Sequence, residues 1–89
     1  MSDLSDLELA YAQEYAVASV LYYAHDVSMM SDARYDGLVK WLLIHNTYRC
    51  ITWLDKASLI AGTGYDVNFP QYLRDVATSW VESNRRRAT

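Results

Sequence analysis

The chain is short of residues that interrupt or cross-link a fold: its 89 residues include one proline, three glycines and one cysteine. So few breakers argue against many short strands joined by tight turns and favour a few longer helices rich in Ala, Leu and Tyr. A lone cysteine cannot close an intramolecular disulfide, which points to a reducing compartment. No apolar run approaches the ~20 residues needed to span a bilayer. The start, MSDLSDLELA, has neither the basic nor the apolar segment of a secretory signal. The expectation is a cytoplasmic protein with no membrane partner. A net charge of −3 argues against nonspecific nucleic-acid binding.

What the chain has in quantity is apolar and aromatic surface: 52% hydrophobic residues, with eight Tyr, three Trp and one Phe. That is enough to order one domain, residues 1–89, but not two. The pattern predicts an all-α bundle of about four helices, near 6–25, 32–45, 47–61 and 70–84, the first two forming an antiparallel hairpin. Ser5-Asp6-Leu7-Glu8 fits a capping box opening the first helix. Val17, Val20, Leu21 and Ala24 continue it as one buried stripe, extended toward the N-terminus by Leu7, Ala10 and Tyr11. Ser31 caps the second helix, whose stripe is Tyr35, Leu38, Val39 and Leu42. Gly37 lies within that helix and offers a close helix approach.

Apolar residues surround most of the third predicted helix, among them Cys50, read as a small core residue. One long bent helix through the second and third segments is the alternative. Gly62 ends the third helix as a left-handed C′ residue. Gly62-Thr63-Gly64 is not a phosphate loop, because no strand precedes it and no Lys-Ser/Thr follows. Tyr65–Phe69 reads as an extended connector. Pro70 opens the fourth helix, whose pattern is Leu73, Val76, Ala77, Trp80 and Val81, and Arg85–Arg87 complement its negative end.

The stretch Tyr22–Asp36, YYAHDVSMMSDARYD, crowds tyrosines and aspartates around a helix end, a short loop and a capped helix start. Asp32, Tyr35 and Asp36 stand at i, i+3 and i+4 and share one helical face. The piece S-D-A-x-Y-D-x-L, with its upstream tyrosine at an ungapped spacing, resembles the N-terminal Ia domain of NAD-dependent bacterial DNA ligases. The resemblance covers residues 15–44, roughly a third of the chain. It implies a helical hairpin that closes over the nicotinamide mononucleotide half of NAD, with Tyr22, Tyr23, Asp32, Tyr35 and Asp36 at the ligand. Tyr23 stands where the family carries histidine, and Arg34 where it carries an acid. No K-x-D-G adenylation motif is present, so the chain cannot ligate DNA by itself. The same residues also have ordinary structural roles: Ser31 as cap, Asp32 on the helix dipole, Tyr35 in packing and Asp36 paired with Lys40.

No pattern of nucleophilic or metal catalysis appears, and His25 and His45 stand apart from any nucleophile, so no enzyme is expected. Asp32 and Asp36 alone make a poor metal site. Two functions fit. The first is a non-catalytic protein that docks on a larger protein and inhibits or adapts it, with Met29, Met30, Trp41 and Trp53 as the expected interface and homodimerisation through the same patch as a variant. By analogy of size and composition it resembles phage and mobile-element anti-defence proteins of the anti-CRISPR kind. That reading needs no cofactor. The alternative is a free-standing domain that binds nicotinamide mononucleotide or NAD.

Overall fold

Ser5 opens the first helix as its capping pattern predicts, the Glu8 amide donating to Ser5 Oγ at 3.1 Å. A computed structural model describes residues 5–64 and 67–88, with side chains described to Asn84. Among the described residues all regular structure is helical: α1 (Asp6–His25), α2 (Asp32–Ile44), a 3-10 turn (Thr47–Arg49), α3 (Lys56–Ala61) and α4 (Gln71–Ala88). No helix among them is long and apolar enough to cross a membrane.

Helix α1 is the axis of the molecule. Its residues from Tyr15 to Leu21 are buried in an unbroken run, so the middle of the helix is enclosed on every side and is not a one-striped surface helix. The sequence YAVASVL suits this, because Ala16, Ala18 and Ser19 let neighbouring elements approach while Tyr15, Val17, Val20 and Leu21 fill the space. The expected single stripe is corrected at its ends: Ala24, Ala10 and Leu7 are exposed. Helix α2 returns antiparallel beside α1, with Tyr35 against Tyr15 and Trp41 against Tyr11. Leu38, Val39 and Leu42 seal that contact. Gly37 mediates no close approach; nothing lies within 4 Å of where its side chain would be.

The third helix differs most from expectation. Helix α2 stops at Ile44, and Asn46 takes a left-handed φ of 54°, which excludes one long bent helix. Only one 3-10 turn follows, and Cys50–Asp55 is irregular before α3 begins at Lys56. Two local causes act together. The β-branched and aromatic residues Ile51, Thr52 and Trp53 are weak helix formers. Asp55 then takes the N-cap role, accepting from the Ser58 amide at 3.0 Å and the Ser58 hydroxyl at 2.8 Å. Cys50 is exposed in this irregular segment and is no core residue. Ile51 and Leu54 still reach the core, so the segment is anchored without helical bonds.

Gly62 closes α3 at φ 74°, the left-handed C-cap the sequence predicts. Val67 and Phe69 are buried, and α4 starts one residue after Pro70, whose carbonyl accepts from the Leu73 and Arg74 amides. Gln13 meets Tyr72 and Tyr15 meets Phe69, so α4 runs antiparallel to α1. Leu73 and Ala77 are its buried face, whereas Val76 is exposed. Helix α4 continues beyond residue 84 to Ala88. The roles expected of Tyr65 and Asp66 and of the Arg85–Arg87 side chains fall outside what is described.

Candidate functional site

The hairpin between α1 and α2 brings the motif residues to one place. Helix α1 ends at His25, and Asp26 adopts a left-handed φ of 55°. The amides of Asp26 and Val27 both bond to the Leu21 carbonyl, the latter at 2.9 Å, which turns the chain sharply. Ser28 Oγ donates to the Met30 carbonyl at 2.9 Å and tightens the loop. Ser31 Oγ then accepts from the Arg34 amide at 3.2 Å and starts α2. Tyr22 and Tyr23, in the last turn of α1, therefore face Asp32, Tyr35 and Asp36, in the first turns of α2.

These five side chains line a single cavity of about 250 Å³, completed by Met29 and Met30 from the loop and Gly62 from the turn after α3. That volume lies just below the ~300–1,000 Å³ typical of small-molecule sites. Tyr22 and Tyr23 meet edge to face, with ring centroids 4.9 Å apart. They are 55% and 42% exposed, which leaves them accessible at the mouth. Asp36 Oδ2 holds Lys40 Nζ at 2.9 Å, the i, i+4 pair expected from sequence. Arg34 turns aside, its Nη2 donating to Glu14 Oε1 at 2.6 Å. The Arg34 charge is thus paired with Glu14 outside the cavity lining.

Behind the cavity lies a polar clasp that sequence reading missed. Ser19 Oγ donates to the Tyr15 carbonyl at 2.8 Å and shares a 2.7 Å bond with Tyr35 Oη. Tyr15 Oη donates to the Thr63 carbonyl at 3.1 Å, and Tyr23 Oη shares a 2.6 Å bond with Thr63 Oγ1. Gly64 fits because it has no side chain: a Cβ there would stand 2.3 Å from Ser19 Oγ. The turn at residues 62–64 is therefore bolted to α1 through Tyr15 and Tyr23, and of the cavity tyrosines it holds Tyr23 while Ser19 holds Tyr35. Burial pushes the Tyr35 phenol above its ordinary pKa, with the Ser19 hydrogen bond opposing. Burial also raises Tyr15, aided by the nearby Tyr35. The Gly-Thr-Gly signal was visible in the sequence, but its partner Ser19 lies over forty residues away with no local mark.

The residues expected at a protein interface divide between the cavity lining and the packing between elements. Met29 packs against the core, and both Met29 and Met30 line the cavity. Trp41 is half-buried, edge-on to Tyr11 at 4.7 Å and stacked on His45 at 3.9 Å. Trp53 is half-buried against Phe69. The large apolar residues most exposed among the described residues are Ile44 and Ile60, at 76% and 66%. His25 is exposed at the end of α1, apart from the cavity lining. Among the described residues no three His, Cys, Asp or Glu side chains gather where they can hold a metal ion. Comparison with protein-family models, curated proteins and solved structures gives no match.

Proposed function

We propose that this protein binds a nicotinamide nucleotide without turning it over, as the resemblance to the ligase Ia hairpin implies. One observation carries the reading: Tyr22, Tyr23, Asp32, Tyr35 and Asp36, contributed by two helices, line the same cavity. The oxidised nicotinamide ring is cationic, so tyrosine faces attract it and carboxylates neutralise it. Asp32 and Asp36 also accept hydrogen bonds from ribose hydroxyls. The rigid backing supports the reading further, because Tyr35 and Tyr23 are each held by a hydroxyl partner on a packed element.

Calorimetric titration with nicotinamide mononucleotide and with NAD tests it. Saturable heat that weakens at least roughly tenfold in Asp32→Ala/Asp36→Ala is expected from losing two partly solvated charges beside a cation. Absence of heat up to millimolar ligand refutes it.

A second reading is docking on a larger protein that is thereby inhibited or adapted, in the manner of anti-defence proteins. Tyr72 and Val76, exposed one turn apart on α4, support it. Their replacement by Ser would then abolish capture of a partner and leave the cavity intact.

A further inference from the structure

Resting on the nicotinamide reading, we propose that the cavity selects a cationic pyridinium nucleoside that carries no phosphate, nicotinamide riboside in preference to its 5′-phosphate or to NAD. The charge balance of the lining carries this. Among the described residues, the formally charged side chains lining the cavity are Asp32 and Asp36, and neither lysine nor arginine joins them. Phosphate sites are ordinarily built from Arg, Lys or free amides at a helix N-terminus.

The charged side-chain donors near this cavity are already paired. Arg34 lies on Glu14 Oε1 at 2.6 Å. Lys40 sits on Asp36 Oδ2 at 2.9 Å, outside the lining, and offsets one of the two carboxylates. At the start of α2 the Arg34 amide is taken by Ser31 Oγ, and Asp32 brings its own negative charge to that turn. Tyr23, where the ligase family carries histidine, shares its hydroxyl with Thr63 Oγ1 at 2.6 Å. The last turn of α1 adds the negative end of a helix dipole beside the same cavity.

A ring cation therefore gains at this site, and a phosphate of about −1.5 to −2 charge is repelled by it. The size agrees, since about 250 Å³ suits the ring and part of a ribose better than a dinucleotide.

The experiment is parallel calorimetric titration of the full chain with nicotinamide riboside and nicotinamide mononucleotide at low and at raised salt. The riboside is expected to bind roughly tenfold more tightly at low salt, with the gap narrowing as salt screens the repulsion. Equal or tighter binding of the mononucleotide overturns the selectivity while leaving the nicotinamide reading in place. In that event Lys40→Ala weakening the mononucleotide alone would identify the lysine as the phosphate's partner. Binding of neither compound overturns both.

Discussion

Replacing Gly64 by Ala probes the contact between the turn at residues 62–64 and α1. The φ of Gly64 lies outside the left-handed region, unlike that of Gly62, so alanine meets no backbone penalty and the cost is steric. The new Cβ would stand 2.3 Å from Ser19 Oγ, 2.6 Å from Ser19 Cβ and 3.2 Å from Tyr35 Oη. Rotating the Ser19 hydroxyl relieves the first contact but not the second, because Ser19 Cβ is fixed to a buried helix. Carbon atoms settle near 3.5–4.0 Å, so the turn must retreat by about 1 Å. That stretches the Tyr15–Thr63 bond, now 3.1 Å, beyond hydrogen-bonding range.

Overpacking costs about 1–3 kcal/mol and the lost bond about 1 kcal/mol, together about 2–4 kcal/mol. For a domain of this size the melting temperature falls by about 10–25 °C. Urea unfolding measures the free energy, and Ser19→Gly combined with Gly64→Ala recovers the steric part. Gly62→Ala, in open space at φ 74°, should cost only the left-handed penalty of about 1–2 kcal/mol. A Gly64→Ala variant less damaged than Gly62→Ala, or unrescued by Ser19→Gly, would mean that the contact with Ser19 is not what constrains the turn.

Three other outcomes follow from the same structure. Gly37→Ala should stabilise by about 0.5–1 kcal/mol in urea unfolding, since an open helical glycine gains propensity and meets nothing. Thr47→Val should be neutral or stabilising by about 1 kcal/mol, because Thr47 Oγ1 is buried without a hydrogen-bond partner. Stability should fall as pH rises above about 10, the unfolded tyrosine value. Burial raises Tyr15 and Tyr35 in the folded state, so the unfolded chain loses those protons first and unfolding gains. Tyr15→Phe should flatten that alkaline slope in a pH series of urea midpoints; an unchanged slope would contradict the assignment.

The fold was legible where local chemistry and burial agree. Capping by Ser5 and Ser31, the stripe Leu38-Val39-Leu42 and the left-handed Gly62 all carry their own short-range signals. The third helix misled because Ile51, Leu54 and Leu59 are buried without sharing one helix; apolar density records burial but not the backbone path. Asp55, four residues into an apolar run, was the missed stop-and-start signal. The central position of α1 was hidden for a related reason: alanines score as ordinary helix formers and do not announce that three elements pack around them. At the site, the cavity-facing side of α2 was readable from i, i+3, i+4 spacing. Its far wall was not, because Gly62 lines it only through the packing of the 62–64 turn against Ser19.

The proposed place for a nicotinamide cation is between the end of α1 and the start of α2. The most direct test is an NMR map of backbone amides as nicotinamide riboside is added to the full chain, repeated with Asp32→Asn/Asp36→Asn. Saturable shifts centred on Tyr22–Asp36 and the 62–64 turn are expected, with affinity weakened roughly tenfold in the double variant. Shifts centred on the exposed face of α4, or shifts indifferent to the two aspartates, would contradict it.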